Sequence, residues 1–148
     1  MIAGMDSPLG PIAIEEKGGV ITALHWIAAP APTTPLLAEA VAQLQAYFDR
    51  RLTRFDLPLD MGVGFQGMVN RAMFDISYGE TKTYGDLAKA LGRPAQAIGQ
   101  GCGANAIPIL IPCHRVLGAK TLGGFSAKGG VESKVFLLRL EGAAGLLI

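Results

Sequence analysis

The sequence predicts an α+β chain in two parts. A small N-terminal α/β domain built on a β-hairpin covers residues 1–63, and a mainly helical C-terminal domain with a helix-turn-helix of winged-helix type covers residues 64–148. Three observations carry this. Short or alternating apolar runs bounded by Gly and Pro dominate up to about residue 27. From Gly64 onward apolar residues recur at helical spacing, and two short helical stretches there are separated only by Gly92, Arg93 and Pro94.

In chain order, "GPIAIEEKGGVITALHWI" reads as a hairpin over residues 10–27 turning at Gly18-Gly19. "APAPTTP" is linker-like. In "LLAEAVAQLQAYFDRRL", Leu36, Val41, Leu44 and Phe48 share a helical face, and "RFDLPL" follows as an edge strand. "FQGMVNRAMFDI" puts Phe65, Val69, Ala72, Met73 and Ile76 on one face of a helix. "TYGDLAKALG" begins with Thr83 as N-cap and Asp86 three residues on, a capping-box pattern, and stops at Gly92. Pro94 opens the next helix, "AQAIGQGCGAN". "IPILIP" is a buried strand or extended segment, "LGAKTLGGFSAKGG" a loop, and "VESKVFLLRLEG" an amphipathic closing helix ending near Gly142.

Composition excludes several classes. The chain has 148 residues, half of them hydrophobic, enough for a real core. Mean hydropathy is +0.36, yet no apolar run reaches the ~18 residues of a membrane span. The start lacks the basic and long apolar regions of a signal peptide, so a cytoplasmic location is expected. Two cysteines and two histidines, with no C-x-x-C, are too few for a zinc site. A Cys102–Cys113 disulfide is conceivable, but in a reducing compartment free thiols are expected. Residues 1–63 hold four basic against seven acidic residues, and the remainder nine against five. This polarity is a weak pointer to a polyanion partner for the C-terminal part.

Two features ask for an explanation. Gly99, Gly101 and Gly103 each cost about 1 kcal/mol relative to Ala inside a helix. They reflect close helix packing or an early helix end, or else a face kept slim to enter a narrow groove such as the minor groove of DNA. A nucleotide cradle is excluded, because no strand leads into the glycines and no Lys-Ser/Thr follows. The second feature is "PCHRV". A free thiol is mostly protonated at neutral pH, so a nucleophilic Cys113 needs a base or a positive field, and His114 and Arg115 are candidates. Neighbours in an extended chain point apart, so the chain must turn sharply here or a water must bridge the pair. A carboxylate to orient His114 could be Glu141, Glu132 or Asp86. A buried, inert Cys113 is the plain alternative.

"PCHRV" resembles the active-site signature of the O6-alkylguanine-DNA alkyltransferases. The resemblance extends from about Phe65 to Gly142 through "FQGMV", "TYGDLAKALGRP", "GANAIPILIPCHRV", "GGFS" and "SKVFLLRLEG". The first 63 residues resemble only the general layout of the family's variable α/β domain. The resemblance implies a monomeric protein that binds double-stranded DNA through the minor groove, flips O6-alkylguanine into a pocket and transfers the alkyl group irreversibly to Cys113. His114 would take the thiol proton through a water and Glu141 would orient the imidazole. Asn105 would link the helix-turn-helix to the active-site turn. Tyr84 would meet the flipped base and its phosphate, and the backbone at Cys113, Val116 and Ser126 would wall the pocket, with Phe125 beside it. Ala95, Ala97 and Gly99 match small groove-facing positions. Arg93, Gln96 and Arg115 join them on the DNA side, Arg115 serving structure or a phosphate contact. No cofactor and no metal are implied, since the protein is both catalyst and reagent.

Two departures stand out. Gln96 replaces the family's usual arginine, which fills the gap left by the flipped base. "FSAKGG" is two residues longer than the usual loop and has Phe125 in place of tyrosine, with Lys128 facing solvent or phosphate. The rival readings are a non-catalytic damage-binding relative, against which Cys113 argues, and a cysteine hydrolase, which would need an oxyanion hole.

Overall fold

The structure is a computed structural model and describes residues 1–125 and 129–143. The chain divides into two compact units, Met1–Asp60 and Met61–Ile148.

In the first unit the Gly18-Gly19 hairpin forms as expected, both glycines having positive φ (59° and 82°), the geometry of the tight turns that match strand twist. It joins β2 (Gly10–Lys17) to β3 (Val20–His25), with a bulge between Glu15 and Glu16. The sequence reading missed a third strand, β1 (Ile2–Ser7), which pairs antiparallel with β2 to give the order β1-β2-β3. Gly4 hides β1 from a propensity reading and explains it here. Its amide bonds the Pro30 carbonyl at 2.7 Å, and a Cβ would stand 2.4 Å from the Ala29 carbonyl oxygen.

Helix α1 (Pro35–Phe48) starts at Thr34, whose hydroxyl accepts from the Leu37 amide, with Pro35 at the first position. It buries Leu37, Ala40, Val41, Leu44 and Tyr47, whereas Leu36 and Phe48 are only half-buried. The apolar stripe is therefore turned by one residue from the expected face. The edge strand expected at 54–59 is reduced to one bridge, Ile21 to Leu59. Pro58 accepts from the Ile21 amide but has no N–H to return, so the ladder ends there.

The second unit contains α2 (Gly64–Phe74), β4 (Lys82–Thr83), α3 (Tyr84–Leu91), α4 (Ala95–Gly103), a 3-10 turn (Cys113–Arg115), β5 (Val116–Leu117) and α5 (Val131–Leu140). Strands β4 and β5 pair in parallel. The capping box at Thr83 and Asp86 is complete in both directions, and Gly92 ends α3 in the left-handed region at φ 64°. Gly142 does the same after α5, at φ 63°. Among the described residues no helix is long and apolar enough to cross a membrane.

Residues 107–111 are buried as expected but form no strand. Ile109 takes φ 71°, a strained setting for a β-branched residue that costs about 1–3 kcal/mol, and the chain doubles back with Pro108 bridging Ile111. Asn105 holds the bend. Its Oδ1 accepts from the Ile107 amide and its Nδ2 donates to the Ile111 carbonyl, each at 2.9 Å.

The glycines of α4 now separate. A Cβ at Gly101 would lie 3.0 to 3.3 Å from three atoms of the fully buried Val69 on α2, and the Gly101 carbonyl accepts from Gln66 at 2.8 Å. Gly99 and Gly103 have open space where a Cβ would stand. Gly101→Ala is therefore expected to destabilise the fold, while Gly99→Ala gains up to about 1 kcal/mol from helix propensity alone. Denaturant unfolding of the two variants checks the contrast.

Candidate active site

Of the two arrangements open to the Cys113-His114 adjacency, the sharp turn is present. The Cys113 amide bonds the Ile111 carbonyl at 2.8 Å and the Arg115 amide bonds the Pro112 carbonyl at 3.0 Å. About three residues per turn then send three successive side chains in three directions.

Cys113, 7% exposed, faces a cavity of about 310 Å³ lined also by Tyr84, Gly99, Cys102, Gly103, Gly124 and Phe125. Burial pushes its thiol above the usual range, while a hydrogen bond from the Asn105 side chain and the nearby Lys134 pull it back.

His114 is fully buried, and its Nε2 lies 2.6 Å from Glu141 Oε2. Burial lowers the imidazole pKa despite the carboxylate beside it, so at neutral pH the ring is uncharged. Burial alone would raise Glu141, but His114 and Arg115 hold it down at about 2. An ionised carboxylate can only accept, so the ring proton sits on Nε2. Nδ1 is thereby left as a lone-pair acceptor, buried and without a hydrogen-bond partner among the described residues. The Phe125 ring stands edge-on to the imidazole, 6.4 Å between centroids.

Of the two roles expected of Arg115, the structural one is found and the placement on the DNA side is not. The residue is 6% exposed and faces inward rather than toward DNA. Nε and Nη2 grip the two Glu141 oxygens at 2.8 and 3.0 Å, and Nη1 donates to the Ile76 carbonyl at 2.6 Å. The guanidinium also lies 5.8 Å from the Tyr78 ring centroid. Of the three candidate carboxylates, Glu141 is the partner of His114; Asp86 is spent in the capping box.

The structure thus brings Cys113, His114, Glu141 and Asn105 together, with Tyr84, Phe125 and Gly99 at the cavity. Arg93, Ala95 and Gln96 are exposed around the start of α4, and Ala97 is half-buried. Val116 is fully buried behind the lining. Ser126 and Lys128 lie outside the described residues. The sequence reading overlooked two groups. Cys102 lines the same cavity, its thiol pushed up to about 12 by burial. Lys134 is fully buried on α5, and its position three and four residues before the buried Leu137 and Leu138 was the available signal.

A buried thiol facing a cavity, backed by a neutral imidazole and a clamped carboxylate, defines a cysteine-nucleophile protein, here carried on a helical unit with a helix-turn-helix. Comparison with known proteins narrows that class. Residues 64–143 match the model of the 6-O-methylguanine DNA methyltransferase DNA-binding domain, and residues 2–61 match the ribonuclease-like domain of the same proteins. The chain belongs to the 6-O-methylguanine DNA methyltransferase family, as the resemblance of its C-terminal motifs implied. It is 41% identical to the methylated-DNA–protein-cysteine methyltransferase of Mycobacterium tuberculosis, over 93% of this chain and 89% of that one. Identity to the constitutive Bacillus subtilis enzyme of that name is 39%, over 92% of each chain. The crystal structure of Mycobacterium tuberculosis OGT in complex with DNA superposes with a TM-score of 0.85, covering 95% of this chain and 92% of that one at 41% identity. An O6-methylguanine DNA methyltransferase from Methanococcus jannaschii gives 0.70 at 26% identity, covering 100% and 96%.

Proposed function

We propose that this chain repairs duplex DNA by taking the alkyl group of O6-alkylguanine onto Cys113, once per molecule. The observation that carries the reading is the sulfur facing the cavity beside a neutral His114 held by Glu141. The lesion is flipped out of the stack at a cost of a few kcal/mol, least for a base that pairs badly. His114 Nδ1 takes the thiol proton through a water. The sulfur then forms a bond to the alkyl carbon while the carbon–O6 bond breaks. Its electron pair stays on the guanine, which takes up one proton. A thioether and an ordinary guanine result, and no cofactor enters the balance.

Helix α4 is the groove reader. Ala95, Ala97 and Gly99 keep it slim, and Tyr84 and Phe125 wall the flipped base. Arg93 and Gln96 take the positions nearest the opened duplex. Gln96 can hydrogen-bond the orphaned cytosine but lacks a charge. Gln96→Arg is therefore expected to capture lesions about fivefold faster, the worth of roughly 1 kcal/mol of added charge assistance. A stopped-flow repair rate no higher than the parent's would count against that role. An acceptor sulfur must stay reduced to react, which fits a cytoplasmic location, and one-site chemistry fits a monomer.

The relatives' shared name favours transfer over the non-catalytic alternative, which would bind damage and leave Cys113 unchanged. The test is a single-turnover reaction with a duplex carrying O6-methylguanine, followed by intact-protein mass and peptide mapping. One methyl group on Cys113 is expected; bound duplex with an unmodified sulfur would overturn the reading.

A further inference from the structure

Cys113 shares its cavity with a second sulfur. Cys102 on α4 opens onto the same space of about 310 Å³, and both are free thiols, each 7% exposed. Asn105 ties the two together: its amide donates to the Cys102 carbonyl at 3.3 Å, and its side chain hydrogen-bonds the Cys113 sulfur. The thiols also feel each other's charge, since an ionised Cys113 pushes Cys102 further up. The lining leaves room around them, for a Cβ at Gly99, Gly103 or Gly124 would meet open space. Helix α4 packs on Val69 through Gly101 and turns the next residue, Cys102, to the cavity.

Methyl transfer uses one of these sulfurs and leaves the other idle. A methyl thioether on Cys113 is inert, so the reaction ends there. A two-carbon group with a leaving group at its far end behaves differently. Once it is on Cys113, the sulfur lone pair displaces that leaving group and closes a three-membered episulfonium ring, a strong alkylating agent. Among the described lining residues the nucleophiles within reach are Cys102 and the Tyr84 hydroxyl, both kept protonated by burial. Sulfur is much the better of the two toward saturated carbon.

We infer that Cys102 is a second acceptor, which closes two-armed alkyl groups into an ethylene bridge between the sulfurs of residues 102 and 113. The inference rests on the reading of Cys113 as first acceptor and extends it to a substrate class, O6-(2-haloethyl)guanine. In the second step the Cys102 sulfur forms a bond to a ring carbon. The bond from that carbon to the Cys113 sulfur breaks, and its electron pair returns to that sulfur. The halide has already left with the pair of its own bond, and the Cys102 proton passes to water. A dithioether remains, and no oxidant or cofactor is consumed. Such a link asks less of the backbone than a disulfide, which needs its sulfurs about 2.05 Å apart. Well-oriented intramolecular partners reach effective concentrations of about 10⁵ M, far above that of water, so bridging outruns hydrolysis although Cys102 attacks as a thiol. Capture inside the cavity also keeps the ring away from the bound duplex.

The experiment compares the freshly reduced full-length parent with Cys102→Ser. Each receives a duplex carrying newly prepared O6-(2-chloroethyl)guanine and, separately, 1,2-dibromoethane without DNA. The protein is then unfolded, treated with iodoacetamide and digested with trypsin; no lysine or arginine lies between Cys102 and Cys113, so one peptide reports both. In both arms the parent peptide is expected to carry one ethylene bridge in place of two thiol hydrogens and to take up no iodoacetamide. Cys102→Ser is expected to end as 2-hydroxyethyl-Cys113 and to leave about tenfold more covalent protein–DNA adduct on a denaturing gel. Should that variant fail to fold, the parent peptide alone decides. A parent that holds the two-carbon group on Cys113 while Cys102 still takes iodoacetamide overturns the inference and leaves the repair reading standing. A dibromoethane arm without a bridge overturns it as well. If dibromoethane gives the bridge but the duplex gives up no alkyl group, the second acceptor stands and the repair function falls.

Discussion

Cys113→Ser is expected to bind lesion-bearing duplex as tightly as the parent and to acquire no methyl group. The hydroxyl is close in shape and slightly smaller than the thiol, so the turn and the cavity survive. An alcohol, however, ionises far less readily and is a poor nucleophile without a far stronger base than a neutral imidazole. The expected loss in rate is on the order of 10⁴-fold or more. Band-shift binding and intact-protein mass on the same sample check it. The informative failure is an adduct on Cys102, the other sulfur in this cavity. That result would move the acceptor one helix away and undo the role given to His114.

Glu141→Ala is expected to produce the largest loss of stability. It leaves the Arg115 guanidinium buried with two of its donors unpaired and the His114 Nε2 proton without an acceptor. Breaking a buried pair in this one-sided way costs about 3–5 kcal/mol, or roughly 10 °C or more in Tm. Glu141→Gln keeps an acceptor oxygen and should unfold later than the Ala variant. It should still slow transfer by on the order of 10²- to 10⁴-fold, since an amide can present its NH₂ to the imidazole and disfavour the Nε2-protonated ring. Acid unfolding adds a second check. The buried His114 stays uncharged below its ordinary 6.5, so the unfolded chain binds the proton first and parent stability begins to fall as pH drops through that value. Glu141 contributes fully above its ordinary 4.5 and loses its contribution as pH falls toward about 2. The Ala variant should therefore show a flatter pH dependence in the lower window.

Local signals were legible where a few neighbouring residues decide the backbone. The Thr83–Asp86 capping box, the Gly92 stop and the Gly18-Gly19 turn each need only adjacent atoms, and each is found. Cys113 and His114 stood out by adjacency. Glu141, 27 residues from His114, did not; only the resemblance to a known family chose it over Glu132 and Asp86. Arg115 was left between structure and a phosphate contact, because nothing adjacent in sequence names the carboxylate and the carbonyl that its donors find inside. Strand β1 depends on a long-range contact, the Ala29 backbone, and the doubled-back 107–112 segment on an asparagine side chain that bonds two backbone groups at once, which no periodicity signals. Lys134 drew no notice because lysine is usually solvated and nothing nearby in sequence names the two carbonyls that hold it.

The bolting of α4 has a mechanical consequence. Gly101 packs α4 closely on Val69 at its waist, and Asn105 just past its end is tied to Ile111, so on the proposed reading a firmly held helix is offered to the duplex. A stiff probe cannot mould itself to what it meets, so the deformation falls on the nucleic acid. Sites whose stacking is already weakened yield first, and intact sequence is released because it resists. On this view, discrimination is a test of compliance performed on the helix being searched.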